Sequence, residues 1–135
     1  MTANVVAGIL TRNGKFLVER RRDNDDADPG YVEIPGWHVR EGESLESAFR
    51  REMKEELGIQ VEKMKAVSTS LATATNGEKQ RIHYFHVERW NGIIRAKEAE
   101  KVYWESQVSG LSMAPDRAAI ESLLKPRALQ SQQLT

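Results

Sequence analysis

Glu52, Glu55 and Glu56 put three carboxylates in one short stretch of chain, with Arg51 immediately before them. Carboxylates this close repel one another and, where apolar neighbours strip their water, need either protons or a shared cation. A donor set made only of oxygens suits a hard divalent ion such as Mg2+ or Mn2+, which also holds water and phosphate oxygens. Arg51 is placed to reach Glu55 one turn on and Glu43 in the preceding loop, tying loop and acids into one register. The plainer alternatives are an acidic face in solvent with an ordinary surface arginine beside it.

A helix has to display these groups. Ser44 is a suitable N-cap, Glu46 stands in the first turn and Gly58 follows the end, which brackets a helix from about Leu45 to Leu57. At about 100° per residue, Leu45, Ala48, Phe49, Met53 and Leu57 gather on one arc. Glu52 and Glu56 fall in the middle of that arc and Glu55 at its edge. Acids among core-facing residues strengthen the cation reading.

The rest of the chain predicts strands around this helix. Val5–Thr11 and Lys15–Arg20 flank Asn13-Gly14, a two-residue hairpin signal. Asp23 to Gly30 is polar and ends in Pro-Gly, so it reads as a surface loop. Tyr31–Ile34 predicts a short strand stopped by Pro35-Gly36. Ile59–Val67, with an extension to Ala72 open, and Arg81–Arg89 predict strands about the Asn76-Gly77 turn, and Val102–Trp104 one more. Pro115 opens a final helix with Ala118, Ala119, Leu123 and Leu124 as its expected buried stripe. This pattern is α/β (α+β), with helices packed on a mixed sheet.

Composition narrows the function classes. Twenty basic and twenty acidic residues leave a net charge of zero, so no global field favours a nucleic acid or a membrane surface. The absence of cysteine removes disulfides, thiol catalysis and cysteine-based zinc sites, and suits a cytoplasmic location. The run Val5–Leu10 is too short to span a membrane and lacks the charged start of a signal peptide.

Trp37 to Ile59 resembles the box of the Nudix hydrolase family, G-x5-E-x7-R-E-U-x-E-E-x-G-U, where U is a bulky aliphatic. Glu43, Arg51, Glu52, Met53, Glu55, Glu56, Gly58 and Ile59 stand at its specified positions. Trp37 occupies the place of the first glycine, and Arg40 a position commonly acidic in MutT-like members. The resemblance covers about residues 3 to 125. It implies a Nudix-type α/β/α sandwich, a mixed β-sheet flanked by helices, as one domain over residues 1–126, with 127–135 a flexible tail.

It also implies Mg2+- or Mn2+-dependent hydrolysis of a phosphoanhydride in a nucleoside diphosphate-linked compound, foremost a (deoxy)nucleoside triphosphate cut to monophosphate and pyrophosphate. By resemblance Glu52, Glu55, Glu56 and the Gly36 carbonyl are metal ligands, Glu55 or Glu56 serves catalysis, and Arg51 with Glu43 holds the site. Glu98 is the implied late acid, preferred over Glu100 for its spacing to Trp104. Arg20, His38 and Arg40 are candidate substrate contacts, and Tyr84 a candidate platform for a base, with Phe85 and Trp104 as alternatives. A homodimer is compatible with the family. Three outcomes fit Trp37 and Arg40: the loop absorbs the indole and activity stays, Arg40 adds a phosphate contact that shifts preference, or the pair disables the site and leaves a binding domain.

Overall fold

The computed structural model describes residues 1–124, so the expected tail, 127–135, lies outside the described residues. Strand β1 (Ala3–Arg12) runs through the centre of the molecule. Val5, Ala7 and Ile9 point into one core cluster and Val6 and Leu10 into another, because successive side chains of a strand alternate. That double burial explains the unbroken apolar run.

β1 pairs in parallel with β6 (Lys79–Asn91) and antiparallel with β2 (Lys15–Arg20) and β4 (Gly36–His38). β2 also pairs with β3 (Val32–Glu33) and β7 (Lys101–Glu105), and β6 with β5 (Gln60–Thr73). The result is the expected mixed sheet, of seven strands. Helix α1 (Leu45–Glu52) packs on β1 and α2 (Ala114–Leu124) packs against β5. Gly8 permits the first contact, since a Cβ there would collide with Met53 and Phe49.

Three expectations are corrected. Pro35-Gly36 does not end the strand region: the chain crosses from β3 into β4, and the Pro35 carbonyl accepts from the Gly8 N–H at 2.9 Å. The central helix begins as expected, with the Ser44 hydroxyl accepting from the Ser47 N–H at 3.1 Å, but it widens after Glu52 into a π turn, Met53–Leu57. Gly58, at φ 73°, closes that turn in the left-handed conformation. In α2 the buried residues are Asp116, Ala119 and Ile120, while Ala118 and Leu124 are exposed. The stripe is displaced because Asp116, a polar residue, has partners in the core.

Candidate active site

The α1–π junction sets the geometry of the acids. Glu52 ends α1 and is half-buried, Glu56 is buried on the π turn, and Glu55 is exposed beside it. π bulges of this kind are frequent at functional sites. Each of the three carboxylates offers an oxygen within 4.8 Å of the other two.

Arg51 holds this arrangement. Its Nε donates to Glu43 Oε2 at 2.7 Å and its Nη2 to Glu43 Oε1 at 2.8 Å, a two-pronged contact between loop and helix. Its Nη1 donates to Glu52 Oε1 at 2.6 Å and to Glu55 Oε2 at 3.1 Å. The Arg51 hydrogen bonds pull the Glu43 carboxyl down to about 2, helped by the Arg40 backbone N–H at 3.1 Å. Arg51 itself is held firmly protonated by the same partners.

Glu56 is pushed the other way. Burial raises its pKa most, the charges of Glu98, Glu52 and Glu55 raise it further, and Lys97 opposes them. An all-oxygen cluster carrying excess negative charge fits a hard divalent cation, which would relieve that repulsion.

The acids open into a cleft of about 580 Å³. Gly36, Trp37, His38 and Arg40 line it together with Lys97 and Glu98, whose charges act on Glu56. A smaller recess lies under Trp37, between Glu56 and the Ala96–Ala99 segment. Trp37 is not among the residues with positive φ: it is extended in β4 opposite Val6, half-buried against the apolar cluster of α1. The position therefore does not demand glycine, and the loop accommodates the indole.

Sequence reasoning missed a second set of acids, buried or half-buried, of which Asp28, Glu33 and Asp116 line the cleft and Glu19 the smaller recess. Asp116 accepts from the Ile34 N–H at 3.0 Å and from the Tyr84 hydroxyl, yet burial still raises its pKa to about 6. Asp28 exchanges two bonds with Thr75, at 2.6 and 2.9 Å, which fastens the 23–30 loop to the β5–β6 hairpin. Glu33 is pushed up to about 9, first by burial and then by Asp28 and Asp116, and its buried Oε1 makes no hydrogen bond among the described residues, with Arg21 Nε at 3.9 Å. Glu19, opposite Glu33 in the ladder, is raised by burial to about 7. Composition and periodicity give no sign of such a cluster, because its burial comes from segments distant in sequence.

The structure sorts the remaining candidates. Glu98 lines the cleft, whereas Glu100 pairs with Arg20 at 3.2 Å. Arg20 also binds Asp23 and the Gly30 carbonyl and does not line the cleft; the wall is formed by its neighbour Arg21, bonded to the Ala27 carbonyl at 2.8 Å. Arg20 is the last residue of β2 and Arg21 the first beyond it. His38 lines the cleft and meets Glu78 at 2.7 Å. Tyr84 is corrected: only 1% of it is exposed, so it has no face to offer a base. Phe85 packs on Phe49 at 5.1 Å between centroids, and Trp104 flanks the Arg12 guanidinium.

Comparisons with known proteins agree with this geometry. The NUDIX domain model matches residues 1–128. The CTP pyrophosphohydrolase of Escherichia coli K12 is 33% identical over 127 residues, covering 92% of this chain and 93% of that protein. The 8-oxo-dGTP diphosphatase of Buchnera aphidicola subsp. Schizaphis graminum is 28% identical over 105 residues, or 75% of each chain. Among solved structures, a MutT NUDIX hydrolase from Burkholderia pseudomallei superposes with a TM-score of 0.79 over 91% of this chain and 98% of that one, and at 23% identity it speaks to the fold. With the box residues gathered as its spacing requires and the domain matched almost end to end, the chain belongs to the NUDIX domain family.

Proposed function

We propose that this Nudix pyrophosphohydrolase cuts a (deoxy)nucleoside triphosphate to the monophosphate and pyrophosphate, using Mg2+ or Mn2+ at Glu52, Glu55 and Glu56. The observation that carries the reading is the acid cluster, fixed by Arg51 and opening on a cleft of nucleotide size. When bound, the divalent ion neutralises phosphate charge and acidifies a water. The chain's own groups do the rest. Arg51 keeps Glu52 and Glu55 in register, and Gly36 and Glu98 line the same recess as Glu56. Glu55 and Glu56 are the candidate bases, and Arg21, His38 and Arg40 line the cleft as candidate phosphate contacts. At the buried end Glu33, protonated at neutral pH, can both donate to and accept from the polar edge of a base.

The relatives named for CTP and 8-oxo-dGTP support a nucleoside triphosphate as the class. The accommodation of Trp37 speaks against a disabled site.

The test is pyrophosphate release from a panel of nucleoside triphosphates with Mg2+, Mn2+ or EDTA, for the wild type and Glu56→Gln. Metal-dependent release that drops at least a hundredfold, roughly the loss of a directly acting group, is expected for the variant. A folded wild type that releases nothing across the panel, or a Glu56→Gln variant as active as wild type, would sink the proposal.

A further inference from the structure

Arg40 stands where MutT-like loops commonly carry an acid, at the rim of the cleft beside Glu52 and Glu55. Of the basic side chains that line or adjoin the cleft, Lys97 sits beside Glu56 and three others are engaged. Arg51 is bound to three carboxylates, Arg21 to the Ala27 carbonyl and Asp25, and His38 to Glu78. The Arg40 side chain makes no hydrogen bond or ion pair among the described residues. Its backbone N–H is tied to Glu43, which Arg51 clamps, so its position on the loop is fixed while its guanidinium stays free.

The cleft also has a direction. Its most buried lining, with Ile34, Ile82 and Asp116, is partly apolar and suits a nucleoside. Glu52, Glu55 and Glu56 line the same cleft, and Arg40 is its exposed basic residue from the loop. A nucleotide lying with its base inward therefore places its terminal phosphates at the rim, against Arg40. Resting on the proposed reaction, we infer that Arg40 determines phosphate-chain length: its guanidinium binds the outer phosphates of a triphosphate, the part that leaves as pyrophosphate. A diphosphate ends short of it.

Two measurements on Arg40→Ala, Arg40→Lys and a remote control, Lys15→Ala, test this. The first is calorimetric binding of inorganic tripolyphosphate and of inorganic phosphate with Mg2+ present. The second is kcat/KM for a nucleoside triphosphate and the matching diphosphate. Loss of the guanidinium is expected to weaken tripolyphosphate about tenfold or more, the size of a hydrogen bond to a charged group, with phosphate little changed. The triphosphate-to-diphosphate ratio of kcat/KM falls by a similar factor, mostly through KM, while Arg40→Lys keeps part of it and Lys15→Ala keeps all. Tripolyphosphate binding equal in wild type and Arg40→Ala overturns the inference, as does an equal loss for both nucleotides. A wild type that binds tripolyphosphate through Arg40 but turns over no nucleotide counts against the reaction and not against this contact.

Discussion

At the scale of single residues, the site depends on one arginine more than on any one acid. Arg51 contacts Glu43, Glu52 and Glu55 together, so its loss leaves three carboxylates to repel one another and frees the loop from the helix. Arg51→Ala is expected to lower metal affinity and kcat/KM by about ten- to a hundredfold, as removal of a ligand-orienting partner does elsewhere. Mn2+ titration monitored by electron paramagnetic resonance checks the first quantity and steady-state kinetics the second. Wild-type metal affinity in that variant would show that the acids hold their places unaided. Residue identities here were largely legible: the spacing of Glu43, Arg51, Glu52, Glu55 and Glu56 predicts both cluster and clamp. Tyr84 was not, since a tyrosine on a strand reads the same whether its ring meets a ligand or the core. Arg20, Arg21 and Arg22 end the hairpin together, and the sequence alone does not say which of them reaches the cleft.

At the scale of elements, the turn that carries Glu55 and Glu56 is π and not α. Sequence periodicity cannot separate the two over five residues, and Gly58 terminates either. β4 was hidden by Pro35-Gly36, a pair that usually ends a strand but here carries the chain across to β1. The hairpin and the helix start were legible because both rest on local signals, Asn13-Gly14 and Ser44. The π turn depends on its cap. Gly58 has φ 73°, and a Cβ there would sit 2.9 Å from Arg95 Nε. Gly58→Ala is expected to cost about 1–2 kcal/mol, the penalty for a left-handed residue with a side chain. Urea unfolding measures it, and an unchanged midpoint would mean that the cap relaxes without strain.

At the scale of the whole molecule, the buried acids tie stability to pH. Asp116, Glu19 and Glu33 have folded-state values of about 6, 7 and 9, all above their ordinary ones. Each therefore contributes stability at pH below its unfolded value, and that contribution is lost as pH rises through the folded value. Glu43, held at about 2, acts oppositely and matters only in strong acid. Metal-free protein should lose Tm by roughly 5–10 °C between about pH 5 and pH 9, with Glu33→Gln flattening the upper part of the curve. Scanning calorimetry in EDTA checks this, and a Tm that climbs over that range would show that the acids are not held neutral. None of this was legible, because acidic residues scattered over β2, β3 and α2 meet only when the chain is folded. β1 joins these two halves of the cleft. Val6 packs with the acid-bearing helix, and its neighbour Ala7 lines the cleft. Because one strand floors both, β1 cannot melt without exposing the core on either side, and the two clusters are expected to unfold as one cooperative unit.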